Sequence, residues 1–304
     1  MTVRDDARLR TAIASATERL AAAGVPSPRV DAIALAEHAL GVPELILAVP
    51  PAVPDGFEAR FDKFVRRREA REPLQHIVGW VAFRRLHVRA RRGVFLPRPE
   101  TEVVAQQAVE EARRLLAGGG HPLVVDLCTG SGVIALSVVL EAPGSRVVAV
   151  DVDAAAVDLA RANADLLIRP ASSPPAVRFD VGDVTHPDLL ADLDGRADVV
   201  VGNPPYIPDD AVPLEPEVAE HDPPRALFGG GADGLDLARH VISAASRLLR
   251  PGGLFVMEHA DVHGIAVREA VDRTGVFDPA TTHRDLTGRD RFLLARRGHP
   301  TKAV

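Results

Sequence analysis

Residues 199–206 read Val-Val-Val-Gly-Asn-Pro-Pro-Tyr, and the rest of the chain can be organised around them. Three consecutive valines predict a buried strand, which the two prolines must end because proline fixes φ and has no backbone N–H. Asn203 therefore stands at the carboxyl end of a strand, where open α/β sheets bind ligands. Its side-chain oxygen and the Pro204 carbonyl are two acceptors, and Tyr206 adds a ring. This set suits a planar nitrogen with two N–H donors, such as a carboxamide or an exocyclic amine, although Asn-Pro alone is also an ordinary turn signal.

Composition narrows the class of protein. The 304 residues are 46% hydrophobic, which is enough for two domains or one large one. The single cysteine, Cys128, excludes an internal disulfide, and no Cys/His cluster has zinc-like spacing, so we expect no metal and a cytoplasmic protein. No apolar run approaches the roughly 20 residues of a membrane span, and we expect no membrane association. The net charge of −6 argues against a protein whose main role is to bind nucleic acid.

Periodicity divides the chain into three parts. Helical spacing of apolar residues dominates residues 1–74 and predicts a small helical domain. Its modest core indicates an accessory that docks onto either the second domain or a partner, and we expect it to recognise the substrate. Short β-like segments, including Ile77-Val78, predict a β-hairpin linker over residues 75–96. Strands and helices then alternate over residues 97–304, including a helix from Pro187 to Leu193. This alternation predicts an α/β, Rossmann-like domain with a mostly parallel sheet.

Two stretches carry opposite charge. Between residues 66 and 92 there are nine arginines and two glutamates, whereas residues 207–224 contain six acids and no lysine or arginine. Both stretches fit ordinary solvated faces. They also fit a docking hypothesis, in which the acidic loop faces basic surroundings on a protein substrate and the helical domain grips that substrate elsewhere.

A glycine-rich turn follows another predicted strand at residues 124–132, Val-Val-Asp-Leu-Cys-Thr-Gly-Ser-Gly. Glycines let the backbone approach a ligand, and Asp151, at the end of the next strand, is placed to accept from ribose hydroxyls. Residues 130–135 also fit a dinucleotide fingerprint, so NAD is one interpretation. It leaves residues 203–206 unexplained, whereas S-adenosylmethionine accounts for both motifs. Asp183, after the third strand, either meets the adenine or caps a short helix.

Several motifs together resemble the HemK/PrmC family of protein-glutamine N5-methyltransferases, which modify class I peptide-chain release factors. They span roughly residues 70–295 and comprise Phe95 to Glu102, Asp126 to Gly132, Gly202 to Ile207, Ala226-Leu227 with Asp233 to Leu235, and Asp285 to Phe292. Asn-Pro-Pro-Tyr also occurs in adenine N6-methyltransferases, but Pro-Arg-Pro-Glu-Thr at residues 97–101 is far more specific. Cys128 departs from the glycine of many members, and the glycines at 229–231 look like a lengthened loop.

The resemblance implies a set of site residues. Asn203 and the Pro204 carbonyl would accept the two hydrogens of a glutamine amide, with Pro205 and Tyr206 completing the substrate site. S-adenosylmethionine would be bound by Asp126, Cys128, Thr129, Gly130, Ser131, Gly132, Asp151, Asp183, Val184 and Asn203. Two rival functions remain at this point, namely adenine N6 methylation of DNA or RNA, through a flipped base, and regulation by a non-catalytic protein that binds S-adenosylmethionine.

Overall fold

The computed structural model describes residues 3–168 and 176–299. The helices are α1 (Val3–Ala22), α2 (Pro28–Leu40), α3 (Phe57–Glu69), α4 (Leu74–Val78), α5 (Thr101–Ala117), α6 (Val133–Glu141), α7 (Ala154–Leu167), α8 (Pro216–His221), α9 (Asp236–Leu248) and α10 (Gly264–Asp272). The strands are β1 (Trp80–Phe83), β2 (Leu86–Arg89), β3 (Leu123–Leu127), β4 (Arg146–Asp151), β5 (Val177–Val181), β6 (Ala197–Gly202), β7 (Leu249–Glu258), β8 (Thr281–Arg284) and β9 (Asp290–Arg296). No helix within the described ranges is long and apolar enough to cross a membrane.

The described chain forms two compact units. The first, the helical unit, takes in the described residues up to Trp80 together with Ala90–Arg92 and Pro213–His221. The second, the sheet unit, takes in the rest. The helical unit therefore includes α8, which starts at Pro216, ten positions after Tyr206.

The helical unit has a core of its own. Leu9, Ile13 and Leu20 recur on one face of α1 and are at most 2% exposed. They share a cluster with Leu35 of α2 and Phe61 of α3. Burial of these apolar faces is what makes the short helices stable, because isolated helices of this length are marginal in water.

Seven strands form the main sheet in the order β5-β4-β3-β6-β7-β9-β8. The first five run parallel, and β9 pairs antiparallel with both β7 and β8. The predicted mostly parallel sheet is confirmed. The chain order reverses direction between β3 and β6, so the carboxyl ends of β3, β4, β5 and β6 border the crevice where such sheets bind ligands.

Two local predictions are wrong. Residues Ile77-Val78 were expected in a strand but belong to α4, where Ile77 is buried in the helical core. A short apolar run does not distinguish a strand from a buried helical turn, and Pro73 starts the helix here. The helix expected from Pro187 is only a 3-10 turn at Ala191–Leu193, because Leu190 adopts a left-handed φ of 55°.

Much of the basic stretch is paired inside the protein. Arg68, only 5% exposed, binds Asp31 at 2.7 Å and Glu217 at 2.9 Å, and Arg71 binds the other oxygen of Glu217 at 2.6 Å. Burial would raise the pKa of Glu217, but hydrogen bonds from Arg71 and Arg68 outweigh burial and lower the pKa to about 2. These arginines stabilise the helical unit and are not free for an anionic partner. Glu217, an acid of the supposed docking loop, is likewise engaged.

Candidate functional site

The loop between β3 and α6, residues 128–132, is tightly turned. Cys128, Gly130 and Gly132 all have positive φ values, of 60°, 56° and 85°. A Cβ on Gly132 would lie 2.9 Å from the Cβ of Ala160, so glycine is needed for α7 to pack there. A Cβ on Gly130 would meet nothing within 4 Å. The Gly130 backbone therefore faces open space that a ligand can fill.

Asp126 organises this loop from beneath. It has no exposed surface, and its Oδ2 accepts from the Thr129 hydroxyl at 2.6 Å and from the Ala135 N–H at 3.1 Å. Burial raises the pKa of Asp126 to about 7, although both hydrogen bonds oppose the shift. The carboxyl group thus ties the loop to the first turn of α6 and shapes the ligand site without being exposed in it.

Asn163 of α7 holds the same loop from the side. Its Nδ2 donates to the Ser131 carbonyl at 3.0 Å, and its Oδ1 accepts from the Arg89 N–H at 2.9 Å. Asn163 is completely buried, and Ser131 is 3% exposed. Because a buried amide must satisfy both its ends, this residue fixes the path of the loop backbone.

Asp151 lies at the end of β4, next to the loop. One carboxylate oxygen accepts from the Gly130 N–H at 2.8 Å, and the other accepts from the Asp153 N–H at 2.9 Å. Burial raises the pKa of Asp151, and these two hydrogen bonds oppose the rise. Each oxygen keeps a further lone pair that can accept from a hydroxyl group.

Asp183 and Val184 follow β5 at the same edge of the sheet. Asp183 is exposed and accepts from both the N–H and the hydroxyl of Thr185, at 2.8 and 2.7 Å. These hydrogen bonds lower the pKa of Asp183, so the group is a carboxylate near neutral pH. Val184 packs against the core beside β3 and β4. Asp183 therefore begins a turn and does not cap a helix, and it can still accept from an amino group.

These residues fit S-adenosylmethionine. The parallel strands bring the open Gly130 backbone and the carboxyl groups of Asp151 and Asp183 to one edge, where the carboxylates can accept from ribose hydroxyls and from the adenine amine. Nearby negative charge also favours the cationic sulfonium of this cofactor. The open loop backbone and the negative charge both come from residues that the sequence analysis had identified as candidates.

Asn203 follows β6 directly, on the other side of β3. Gly202 pairs in register with Leu127, and a Cβ on Gly202 would lie 3.0 Å from the Leu127 carbonyl oxygen. This close approach places the Asn203 residue beside the loop after β3. The Asn203 Nδ2 donates to the hydroxyl of Thr101 at 3.2 Å. Thr101 is the first residue of α5, and no side chain caps that helix, so the Thr101 hydroxyl is available to accept from Asn203.

Tyr206 lies among polar side chains that come from residues 258–291. Burial raises the pKa of its phenol to about 12, and the negative charge of Glu258 adds to the rise. Positive charge and hydrogen bonding from Arg291 oppose this rise, and Arg291 itself pairs with Asp285 at 3.2 Å. The phenol edge meets the His263 ring, with 6.4 Å between ring centroids. Tyr206 is thus a fixed neutral phenol.

A glycine-rich segment clamps the backbone of the motif. Ile207 N–H donates to the Leu227 carbonyl and the Gly229 N–H donates to the Ile207 carbonyl, both at 2.9 Å. A Cβ on Gly229 would lie 2.5 Å from the Pro205 carbonyl oxygen and 1.9 Å from the Gly234 carbonyl oxygen. The supposedly lengthened loop is therefore a close-packed support for residues 205–208.

We expect Gly229→Ala to destabilise the protein by about 1 to 3 kcal/mol, because its Cβ would displace backbone atoms that cannot rotate away. The same displacement shifts the motif, so kcat should fall as well. Thermal unfolding and methyl transfer measure the two effects. Gly118→Ala is the matched control, since a Cβ there makes only an ordinary contact at 3.4 Å. Equal effects of the two substitutions would show that the close contact at Gly229 is unimportant.

Cys128 allows a second prediction. Its φ of 60° is unusual for a residue with a side chain, and burial raises the pKa of its thiol well above the ordinary value. We expect Cys128→Gly to change the stability by less than about 1 kcal/mol, since relief of strain and added chain entropy oppose each other. Cys128→Val, which places a β-branched side chain at the same φ, should weaken cofactor binding. Calorimetric titration of both variants measures the affinity for the cofactor. A Cys128→Val variant with unchanged affinity would contradict the expected weakening.

The sequence analysis assigned no role at this site to three of its residues. Thr101, Glu258 and Arg291 surround Asn203 and Tyr206, but each comes from a different element far away in the chain. For Glu258 a signal existed, because it ends a predicted strand, and a polar residue at that position lies at the ligand edge. For Thr101 and Arg291 only their place in the family-like motifs marked them.

Comparison with known proteins shows the family to which this chain belongs. The family described as PrmC N-terminal domain matches residues 11–79, and the family described as methyltransferase small domain matches residues 99–215. The release factor glutamine methyltransferase of Mycolicibacterium smegmatis is 46% identical over 95% of this chain and 98% of its own. Those of Streptomyces coelicolor and Deinococcus radiodurans are 45% and 40% identical, each over 95% of this chain and over 98% and 99% of their own. The chain belongs to the release factor glutamine methyltransferase family.

Proposed function

We propose that this protein transfers a methyl group from S-adenosylmethionine to the side-chain amide nitrogen of a glutamine in a class I peptide-chain release factor. The observation that carries the proposal is the fixed amide of Asn203, at the carboxyl end of β6 and beside the glycine loop after β3. The named activity of relatives that align over nearly the whole chain agrees with it. Because a release factor acts during translation, we propose that the reaction takes place in the cytoplasm.

The loop after β3 and the carboxyl groups beside it form the proposed cofactor side of the site. The loop formed by Cys128, Thr129, Gly130, Ser131 and Gly132 would hold S-adenosylmethionine against its backbone, with Asp126 supporting the loop. Asp151 would accept from the ribose hydroxyls, and Asp183 and Val184 would meet the adenine. When bound, the cofactor supplies an electrophilic methyl group on a cationic sulfur.

On the substrate side, the protein must position a poor nucleophile, since the lone pair of an amide nitrogen is delocalised into its carbonyl. The Asn203 oxygen and the Pro204 carbonyl would accept the two amide hydrogens and aim the nitrogen at the methyl group. Positive charge grows on that nitrogen during transfer, and preorganised acceptors stabilise it. Pro205 and Tyr206 give the motif its rigidity. The amide proton leaves after transfer, so no general base is needed beforehand.

The helical unit, predicted from residues 1–74, is proposed to recognise the release factor. The linker of residues 75–96 and the catalytic domain of residues 97–304 complete the proposed division. Recognition through the basic stretch is now restricted, because Arg68, Arg71 and Arg84 are engaged in internal ion pairs. Direct contact with nucleic acid is not part of the proposal.

Transfer of labelled methyl groups tests the function. Purified protein, labelled S-adenosylmethionine and equal amounts of release factor, DNA or RNA should yield label in the release factor alone, on one glutamine side chain identified by peptide mass spectrometry. Label in adenine would instead support the N6-methyltransferase alternative. Binding of the cofactor without any transfer would support a regulatory protein.

A further inference from the structure

Glu258 lies behind the proposed substrate acceptor. It ends β7, and because Gly202 pairs with Met257 across the parallel strands, Asn203 and Glu258 each follow a paired position at the same edge of the sheet. Glu258 is only 1% exposed. A buried carboxyl group is costly, so its place beside the site calls for a physical explanation.

Hydrogen bonds connect Glu258 to the acceptor. Burial raises the pKa of this carboxyl group, and hydrogen bonding from Thr101 and from Asn203 opposes the rise. The Asn203 Nδ2 itself donates to Thr101 Oγ1 at 3.2 Å. The –NH₂ and the oxygen of an asparagine amide point in different directions. With its –NH₂ held by Thr101 and Glu258, Asn203 presents its oxygen away from both.

Among residues 3–168 and 176–299, no ion pair within 4 Å involves Glu258. Its Oε2 has no hydrogen-bond partner within the part of the chain that the structure describes. Burial raises the pKa of Glu258 to about 7, while Thr101, Asn203 and the positive charge of Arg291 lower it and the negative charge of Glu100 raises it. The phenol of Tyr206 stays neutral, and burial lowers the pKa values of the neighbouring His259 and His263.

We propose that Glu258 is a positioning residue for methyl transfer, whose ionised carboxylate orients the Asn203 amide and strengthens the Asn203 oxygen as an acceptor for the target amide. The inference rests on the proposed function. It assigns no direct contact between Glu258 and the glutamine.

The physical reason is the movement of charge during the reaction. The glutamine nitrogen forms a bond to the methyl carbon as the carbon–sulfur bond breaks. The electron pair of the broken carbon–sulfur bond stays on sulfur. Positive charge therefore moves from sulfur to nitrogen, and the proton then leaves to solvent. A fixed anion behind Asn203 favours this movement, because hydrogen bonds in series polarise one another and a buried charge is weakly screened.

Glu258→Gln separates charge from shape. The amide of glutamine is nearly isosteric and can still accept from Thr101, but it carries no charge. We expect kcat for release factor methylation to fall about tenfold, the difference between a charge-assisted and a neutral hydrogen bond. The KM for release factor and the Kd for S-adenosylmethionine should change far less. Equal kcat values for the variant and the wild type would overturn the inference.

The dependence of the methyl-transfer rate on pH distinguishes a positioning role of Glu258 from a purely structural one, because a purely structural role would not change the pH profile. Neither the target glutamine nor the sulfonium titrates, so the wild-type single-turnover rate should rise with pH with an apparent pKa at or below about 7, because the bound cation favours the ionised carboxylate. In Glu258→Gln the profile should be flat. A profile that persists in the variant belongs to another group, such as His259 or His263, and overturns the inference.

Controls cover loss of folding and failure of the assay. Glu111→Gln removes another buried carboxylate, which pairs with Arg114 and Arg296, so it should lower stability and leave the profile unchanged. If Glu258→Gln does not fold, Glu258→Asp retains the charge and should retain the pH dependence at a lower rate; a flat profile there, or in the wild type, overturns the inference. Absence of wild-type transfer to release factor would instead refute the proposed function itself.

Discussion

Replacing Asn203 with alanine should lower kcat about 100- to 1,000-fold, as does the loss of one preorganised hydrogen bond in a transition state. The acceptor aimed at the glutamine amide is removed, whereas the loop at residues 128–132 and Asp151 remain in place. The affinity for S-adenosylmethionine should therefore stay within about tenfold, or 1.4 kcal/mol. Rates at saturating cofactor and calorimetric titration provide the two measurements.

Asn163→Ala is the matched control for that experiment, since the chain contains only these two asparagines. Asn163 supports the cofactor loop through the Ser131 carbonyl and does not reach the substrate motif. Its loss should weaken cofactor binding and stability more than kcat at saturating cofactor. Wild-type turnover by Asn203→Ala, or the same pattern of effects in both variants, would refute the role given to Asn203.

Replacing Asp151 with alanine should weaken binding of S-adenosylmethionine by about 1 to 3 kcal/mol, the cost of leaving buried polar groups without partners. The structure adds a reason beyond the ribose contact, because the Gly130 N–H and the Asp153 N–H also lose their acceptor. At saturating cofactor kcat should be close to wild type. Calorimetric titration gives the Kd directly.

Asp153→Ala separates Asp151 from its neighbour. The Asp153 side chain caps α7 by accepting from the Ala155 N–H at 2.8 Å, so its loss should cost about 1 kcal/mol of stability and leave cofactor affinity unchanged. If instead Asp153→Ala weakens binding and Asp151→Ala does not, the ribose contact belongs to Asp153.

Local features of the sequence were sufficient to predict most of the fold. Short stretches of sequence indicate a strand, a turn and the start of a helix, because backbone preferences and burial patterns act locally. Examples are the valines at 199–201 and the glycines at 130 and 132. Errors arose where the local signal was short, as at Ile77-Val78. There, burial in the helical core decided the conformation.

Charge patterns were less informative than hydrophobic patterns. The arginines of residues 66–92 fit a solvated face, yet Arg68 is buried and pairs with an acid 149 residues away in the chain. An ion pair depends on the meeting of two side chains in space. Sequence spacing shows only that the charges are present.

The sequence by itself determined the alternating α/β architecture, the two turns at strand ends that we propose to bind ligands, and the identity of Asp151 and Asn203 as polar residues at one edge of the sheet. Only the tertiary structure decided what surrounds Asn203, namely Thr101 from the start of α5 and Glu258 from the end of β7. Periodicity describes which face of an element is buried, whereas the direction of an asparagine amide depends on hydrogen bonds from residues that folding brings together from distant parts of the chain.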